Sequence, residues 1–336
     1  MNTKRKRLIL ILIIAAVAVV SAVLFFILRD GRDRYIPSHL IATVAWNPHS
    51  TADDMAHAFA ASFTRTQLTI QNIPGANGAR GLNAVYEAAR DGGNILSTSL
   101  SAFVTAEAMG FGESPRQNWT GWLCAFAPAI VVVSADSSFA TLNDLTAAIH
   151  QSPRALHCAN SGFGTISFTA AELFRTKTAL EFEHISHAGS SPAVNALLNG
   201  VADFAILTST EITHALRSGE IRALAAFTES DFAIWDGDRE ISIPSVVGFN
   251  GNLDNLLPFG EFYGIFIPAN TPQNSLNAIE SQVQTAAESE TFVAFIRERG
   301  LAPFTPNRAR NAVIIENFCN HVCQTLTSAG FLPVLP

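Results

Sequence analysis

The sequence predicts an α/β protein of two lobes with a ligand cleft between them. Short apolar strands alternate with helices in two successive stretches of the chain, a pattern typical of parallel sheets covered by helices. Turns rich in glycine and small polar residues follow several strands and lead into helices, and open α/β sheets bind ligands at that edge. Two further apolar strands are placed so that they connect the two stretches, which predicts a hinge.

The first 28 residues predict a transmembrane helix. Four basic residues at positions 4–7 precede 21 uncharged residues at 8–28, enough to form a helix about 31 Å long and cross a bilayer. We expect an uncleaved signal anchor in the inner membrane that leaves the basic end in the cytoplasm and the rest of the chain exported. The alternative is a signal peptide cleaved near Ala22.

Composition excludes several classes of partner and chemistry. Residues 1–28 hold four basic and no acidic residues, so 17 basic and 28 acidic residues remain, a net charge of −11. This charge argues against nucleic acid or an anionic membrane surface as a partner. The sequence contains no nucleophile elbow, zinc signature or NAD fingerprint, so we expect neither an enzyme nor a cofactor.

Four cysteines leave two interpretations open in an exported protein. Cys124, Cys158, Cys319 and Cys323 are either buried thiols or include one local disulfide. Cys319 and Cys323 lie four residues apart on one face of a predicted helix, while His321 points elsewhere, which is poor zinc geometry. We therefore predict no metal site.

Lobe 1 is predicted from residues 35–133 and 262–330. Its first half contains three strands with glycine-rich or polar turns between strand and helix. The strands are predicted at 40–46, 68–70 and 95–99, the turns at 47–53, 73–81 and 91–94, and the helices at 54–64 and 82–90. A strand at 261–268 returns to this lobe, and helices follow at 273–288, 291–299 and 316–329.

Lobe 2 is predicted from residues 134–261 and repeats the same plan. An apolar strand at 130–133 leaves lobe 1, and a helix begins after Thr141, a favourable N-cap. Strands are predicted at 155–159, 183–185, 204–207 and 221–226, with turns at 160–165, 186–192 and 208–211. The polar, turn-rich residues 229–258 predict a long surface connection.

The turn at 160–165 is the strongest candidate for ligand binding. Gly162 and Gly164 allow the backbone to reverse between an apolar strand and a helix. Backbone N–H groups at the positive end of the helix can then receive a carboxylate or phosphate oxygen, and Ser161 and Thr165 add hydroxyl donors. The alternative is a plain strand-to-helix connection in which Thr165 is only an N-cap.

Five motifs in one order resemble the substrate-binding receptors of tripartite tricarboxylate transporters, also called Bug receptors. The likeness covers residues 36–305. The matching segments are Ser-Gly-Phe-Gly-Thr at 161–165, Pro-Gly-Ala-Asn-Gly at 74–78, Asp-Gly at 91–92, Gly-Glu-Ile-Arg-Ala-Leu-Ala at 219–225 and Pro-Ala-Asn-Thr-Pro at 268–272. The chain differs from the family pattern at His49 and Ser50, where the family has paired glycines, at Gly93, where it has tyrosine, and at Ala188, where it has a basic residue.

The resemblance implies a type II periplasmic-binding-protein fold that captures a small carboxylate between its lobes and delivers it to the permease subunits of a tripartite transporter. It places the ligand-binding residues on turns of both lobes. The residues expected to bind are Trp46, His49, Ser50, Thr51, Asp53, Asn77, Thr98, Ser99, Ser161, Gly162, Phe163, Gly164, Thr165, His187, Ser190 and Thr208.

Several of these residues have a second interpretation. His49 and His187 are either charged ligand contacts when protonated or ordinary turn residues. Trp46 and Phe163 either pack on the carbon skeleton of the ligand or serve as core wedges. Asp53 is expected to cap its helix, since a carboxylate repels an anionic ligand.

We predict an extracytoplasmic receptor for a di- or tricarboxylate or an acidic amino acid. The binding energy favours a clamp, because one helix terminus supplies only about 0.3–2 kcal/mol to an anion whereas micromolar affinity needs about 8 kcal/mol. Donors from two closing lobes can supply the difference. The alternative is a membrane-tethered sensor or adaptor that works with a signalling protein, which the permanent anchor favours.

Overall fold

A computed structural model describes residues 38–63, 66–108, 110–111, 115–249 and 253–330. The predicted membrane helix at residues 8–28 lies outside them. Within the described ranges, no helix is both long enough and apolar enough to cross a membrane.

The predicted two-lobed α/β architecture is confirmed. Lobe 1 contains the strands β1 (His39–Val44), β2 (Gln67–Asn72), β3 (Asn94–Ser99), β11 (Gly260–Pro268) and β12 (Ala302–Pro303). Its helices are α1 (Thr51–Ala60), α2 (Ala79–Glu87), α3 (Leu100–Ala108), α8 (Gln273–Ala287) and α9 (Glu290–Arg299), with short 3-10 turns at Ala76–Gly78 and Arg116–Asn118. The long strand β4 (Trp119–Ser134) connects this lobe to the next.

Lobe 2 repeats the alternation of strand and helix. Its strands are β5 (His157–Asn160), β6 (Glu183–Ser186), β7 (Phe204–Thr208), β8 (Ile221–Ala226), β9 (Phe232–Asp236) and β10 (Arg239–Ile243). Its helices are α4 (Leu142–Gln151), α5 (Ile166–Thr178), α6 (Ser190–Leu198) and α7 (Ser209–Arg217), with a 3-10 turn at Asp254–Leu256. The last helix, α10 (Arg308–Ser328), packs on α3 of lobe 1 and on α5 of lobe 2.

One sheet runs through both lobes in the order β2-β1-β3-β11-β4-β7-β5-β6, and β8 and β12 also pair with β4. The strands β2, β1 and β3 are parallel, as are β7, β5 and β6. In β4, residues 119–128 pair with β11, whereas residues 129–134 pair with β7 and β8. The strand therefore passes from one lobe to the other, and β11 lies beside its first half.

Alternating residues of β4 serve two different cores, as strand geometry requires. Val131 and Val133 belong to a core that extends through both lobes and includes Phe318 of α10. Ile130 and Val132 point to the opposite face, into a core confined to lobe 2. Trp122, on the first half of β4, belongs to a core of lobe 1 beneath α8 and α9. Residues 121–133 of β4 are apolar because both faces of this stretch are buried.

Polar caps explain where several helices begin. The hydroxyls of Ser50, Thr165 and Ser289 each accept a hydrogen bond from an N–H of the first helical turn. Thr141 forms a capping box with Asp144, in which side chain and backbone bond reciprocally. These residues satisfy donors that have no partner within the helix.

The structure corrects several details of the prediction. The helix expected at 316–329 begins at Arg308, and the helix expected at 54–64 begins at Thr51. Residues 229–258 are more than a surface connection, because β9 and β10 form an antiparallel hairpin within them. The helix expected at 82–90 begins three residues earlier, at Ala79, directly after Gly78, which has a φ of 95°. The four cysteines are free thiols in the structure.

The two lobes also touch outside the sheet. Arg217 of α7 donates hydrogen bonds to the backbone oxygens of Arg297 and Glu298, at distances of 2.8 and 3.0 Å. These oxygens lie in the last turn of α9, where a cation is favourable. The guanidinium of Arg297 in turn lies 4.5 Å from the ring centre of Trp235 in lobe 2. This contact joins the lobes on one side of the cleft.

Candidate functional site

A cavity of about 740 Å³ lies between the lobes. The turn that follows β1 and the loop that follows β5 both line it, so these two predicted turns face a common space. The strand β11 contributes Glu261 and Tyr263 to the wall between them.

The N-termini of five helices reach this cavity. The lining includes residues from the first turn, or from the residue just before it, of α1, α3, α5, α6 and α7. First-turn N–H groups have no acceptor within their own helix, and each helix dipole is positive at this end. The cavity wall is therefore rich in donors although it carries few cations.

The turn of lobe 1 is ordered by Asp53. Its carboxylate is buried and accepts hydrogen bonds from the backbone N–H of His49, at 2.8 Å, and from the side chain of Asn72, at 2.8 Å. Asn72 also donates to the backbone oxygen of Trp46. These bonds hold His49 at a φ of 65° and present Ser50 and the start of α1 to the cavity. Asp53 itself faces away from the ligand space.

The loop of lobe 2 is held from behind by polar contacts. The N–H of Gly162 donates to the side-chain oxygen of Asn160, at 3.1 Å, and the hydroxyl of Thr165 donates to the backbone oxygen of Gly162, at 2.7 Å. Gly162 has a φ of 117°, and an added Cβ would lie 2.5 Å from the backbone oxygen of His187. Only glycine fits this position without displacing the loop.

A buried charged group supports Asn160. His184 lies 3.5 Å from the side-chain nitrogen of Asn160 and places Nε2 2.8 Å from a carboxylate oxygen of Glu172. Arg175 also contacts Glu172, at 2.9 Å. Burial alone raises the pKa of Glu172, but hydrogen bonds from His184 and Arg175, together with their charges, outweigh it and lower that pKa to about 2. The ionised carboxylate of Glu172 therefore holds His184 in place behind the loop at 161–165.

Most of the predicted residues line the cavity. They are Trp46, His49, Ser50, Thr51, Asn77, Ser99, Ser161, Phe163, Gly164, Thr165, Ser190 and Thr208. Phe163 is 48% exposed and packs edge to face on Phe168, while Trp46 is half-buried. The side chains of both aromatic residues thus present carbon surface to the cavity.

Four of the predicted residues lie behind the wall. The hydroxyl of Thr98 is buried and accepts a hydrogen bond from Nε1 of Trp46, at 3.0 Å. Asp53 orders its own turn, and Gly162 and His187 meet each other through the backbone behind the loop. None of these four residues lines the cavity.

Sequence reasoning missed two acidic residues in the wall, Glu211 and Glu261. The carboxylate of Glu211 closes a capping box at the start of α7, accepting from the N–H of Thr208 at 2.7 Å and from its hydroxyl at 3.0 Å. Its spacing three residues after Thr208 was a readable signal. Glu261 could have been identified as a candidate because it is the one acidic residue in the apolar strand at 260–268.

Glu261 is a buried carboxyl group, 8% exposed, that accepts a hydrogen bond from the N–H of Ser101 at 3.1 Å. Burial raises its pKa to about 7, the bonds from Ser101 oppose this, and the charge of Glu211 raises it further. Burial likewise raises the pKa of Tyr263, and Thr51 of lobe 1 and Thr210 of lobe 2 oppose this rise. This part of the cavity wall thus carries two acidic residues, Glu211 from lobe 2 and Glu261 from lobe 1.

The cavity offers little positive charge and no evident metal site. Arg299 is the one arginine or lysine among the described lining residues, and its guanidinium pairs with Asp54. Among the described residues, His49, Asp53 and Asp54 are the one trio whose ligand atoms approach within 4.8 Å of one another. Asp53 and Asp54 already have the structural partners named above, so the trio supports no metal.

Comparison with known proteins identifies similar chains. A family model described as "Tripartite tricarboxylate transporter family receptor" matches residues 52–330. The UPF0065 protein in the tcbD-tcbE intergenic region of a Pseudomonas species is 26% identical over 284 residues, covering 81% of each chain. A TctC solute binding protein from Polaromonas shares the fold with a TM-score of 0.73 at 20% identity, covering 88% of this chain and 100% of that one. R. palustris Rpa4515 with adipate has a TM-score of 0.68 at 20% identity, covering 89% and 100%.

Proposed function

Because the chain belongs to the tripartite tricarboxylate transporter family of receptors, we propose that it is an extracytoplasmic receptor for a small carboxylate. It captures this solute in the cavity between its lobes and delivers it to the membrane subunits of a tripartite transporter. The family is a class of binding proteins, so we propose no catalytic role.

The observation that carries this proposal is the convergence of helix N-termini from both lobes on one cavity. Helix N-termini bind carboxylates through backbone N–H groups and the positive end of the dipole. The loop at 161–165 and the turn at 46–51 supply such groups from opposite sides. A ligand between them would join the lobes, which supports binding by closure.

The site residues proposed to contact the ligand are the predicted residues that line the cavity. Ser50, Thr51, Thr165 and Ser190 lie at helix starts and offer donors to a carboxylate. Trp46 and Phe163 offer carbon surface to the skeleton of the ligand. The adipate present in Rpa4515 supports a carboxylate as the ligand class.

The proposal also covers where the receptor is located and which membrane proteins it works with. We infer that residues 8–28 tether it to the cytoplasmic membrane and hold it beside the transporter, on the extracytoplasmic side. Cross-linking in membranes followed by identification of the captured protein tests the partner. Capture of transporter membrane subunits supports delivery, whereas capture of a sensor kinase favours the signalling alternative.

Calorimetry of the full-length chain tests the proposed function. Titration with succinate, adipate, citrate, aspartate and ω-amino acids is expected to give saturable heat with at least one of them. Protein that unfolds cooperatively yet gives no heat with any carboxylate would overturn the proposal.

A pair of N-cap variants separates binding from stability. Thr165→Val removes the hydroxyl that caps α5 beside the cavity, and Thr141→Val removes the equivalent cap of α4 on an exposed turn. Both are expected to lose about 1 kcal/mol of stability. Only Thr165→Val is expected to weaken ligand binding, and equal binding by the two variants would argue against the loop as a ligand contact.

A further inference from the structure

The five helix N-termini at the cavity are not equivalent. Two of them have a carboxylate of the protein in the cavity wall, since Glu211 accepts from the N-cap residue of α7, Thr208, and Glu261 accepts from Ser101 of α3. The N-termini of α5 and α6 carry only neutral residues in the cavity wall, and the two first-turn carboxylates of α1, Asp53 and Asp54, lie outside the wall and already have partners in Asn72 and Arg299. The first turns of α1, α5 and α6 therefore supply the donors for an anion, and Glu211 lies beside those of α5, because the hydroxyl of Ser167 donates to it.

No cation of the protein balances the two glutamates. Within the described residues, neither Glu211 nor Glu261 has a lysine, arginine or histidine nitrogen within 4.0 Å of its carboxylate. Arg299, the arginine of the cavity wall, is paired with Asp54. A buried carboxylate without a charged partner is unfavourable, and a second one nearby makes it more so.

The two glutamates come from opposite lobes. Glu211 is on α7 of lobe 2, held by donors from Thr208 and by the hydroxyl of Ser167. All three donors meet on one oxygen of its carboxylate. Glu261 is on β11, close enough to Glu211 that the two charges interact. A group located between them would touch both sides of the cleft.

We propose that the ligand is zwitterionic, with its carboxylate at the N-termini of α1, α5 and α6 and its cationic group between Glu211 and Glu261. This inference rests on the proposed function and narrows its ligand class. The class is a small amino acid with one carboxylate and one ammonium or quaternary ammonium group. A cation at this position pairs both glutamates and draws the lobes together, whereas a second carboxylate would be repelled by them.

The protonation behaviour of Glu261 supports this assignment. Burial raises its pKa to about 7, and the nearby charge of Glu211 adds to the rise. An ammonium group within hydrogen-bond distance lowers the pKa of a carboxyl group and keeps it ionised. The ligand would thus supply the positive charge that Glu261 does not receive from the protein.

Matched ligands test the proposal with the full-length chain. The pairs are 6-aminohexanoate against adipate and 4-aminobutyrate against succinate, with hexanoate and butyrate as ligands of one carboxylate and no cation. Alanine and 2-aminobutyrate represent zwitterions with adjacent charges. At pH 8, at least one zwitterion is expected to bind tenfold or more tightly than the dicarboxylate and the monocarboxylate with the same carbon skeleton.

The outcomes separate this inference from the proposed function. Tighter binding of the dicarboxylates than of every zwitterion overturns the inference and leaves the carboxylate receptor standing. Failure of every carboxylate to bind folded protein overturns both.

Glutamine variants then locate the cationic end of the ligand. Glu261→Gln keeps an oxygen that can accept from Ser101 but removes the charge. It is expected to weaken zwitterion binding at least tenfold and to strengthen dicarboxylate binding. Glu240 is an exposed residue of β10 away from the cavity. The control variant Glu240→Gln is expected to change neither zwitterion binding nor dicarboxylate binding.

Glu211→Gln provides an independent test of the same group. Glutamine at this position can still accept from Thr208 and so preserves the cap of α7. The same shift from zwitterion to dicarboxylate is expected, with cooperative thermal unfolding as the check on folding. An unchanged preference in both folded glutamine variants would overturn the proposal.

Discussion

Replacement of Glu261 by glutamine is expected to stabilise the empty protein above neutral pH. The pKa of Glu261 is raised by burial from an ordinary 4.5 to about 7. The native state therefore holds this proton more tightly than the unfolded chain does. The stability gained from the protonated group is complete below pH 4.5 and is lost as the pH rises to about 7. At about 1.4 kcal/mol for each pH unit in that interval, the loss amounts to about 3 kcal/mol.

Urea unfolding of the wild type and Glu261→Gln between pH 4.5 and 8 measures this effect. Because the other groups titrate alike in both proteins, the difference in unfolding free energy isolates position 261. That difference is expected to grow in favour of the variant by about 3 kcal/mol between pH 4.5 and 8. Glu240→Gln, on an exposed strand, is expected to show no such trend. A difference that stays constant over the whole pH range would refute the reasoning.

Two further predictions concern the loop of lobe 2. Glu172→Gln is expected to lose about 3 kcal/mol of stability at pH 7, because the contacts with His184 and Arg175 lower the pKa of Glu172 to about 2; this loss should shrink as unfolding is measured toward pH 2. A loss independent of pH would contradict the ionic role of Glu172. Gly162→Ala is expected to weaken ligand binding at least tenfold in calorimetry, because its Cβ would collide with a backbone oxygen behind the loop. Gly219→Ala, which also has a positive φ but open space around it, is the control and is expected to keep wild-type affinity.

The alternation of strands and helices was sufficient to predict the architecture, because it is a local pattern repeated along the chain. Strand lengths were harder to predict. The strand β4 extends from Trp119 to Ser134, whereas residues 130–133 alone had been identified as its crossing part. Both faces of β4 are buried over residues 121–133, so this stretch is apolar and shows no alternation that marks where the strand begins. The hairpin of β9 and β10 had a readable signal in Asp236 and Gly237, but the polar residues around it favoured a loop.

The candidate site also contains residues that local sequence predicts and residues that only the folded structure brings together. Residues in the turns at 46–51 and 161–165 could be identified because strand, turn and helix are adjacent in sequence. Thr98 was placed on the correct strand, but its burial behind Trp46 depends on a contact between residues 52 positions apart. Glu211 and Glu261 lie 50 residues apart on different lobes, and they come to line one cavity only when the sheet is assembled. Local patterns therefore predict the donors of the cavity but not its acids.

The acids also explain why stability and binding should change in opposite directions at one position. A buried carboxyl group that lacks a cation destabilises the empty fold at the pH where it must ionise. If Glu261 served only the fold, glutamine at this position would be better, since it can keep the bond from Ser101 without the charge. A ligand that brings its own cation reverses this balance, because the charge that is unfavourable in the empty cavity becomes one half of an ion pair in the filled one. If the Glu261→Gln variant is more stable and also binds a zwitterion more weakly, the destabilising charge of Glu261 is explained by its role in binding.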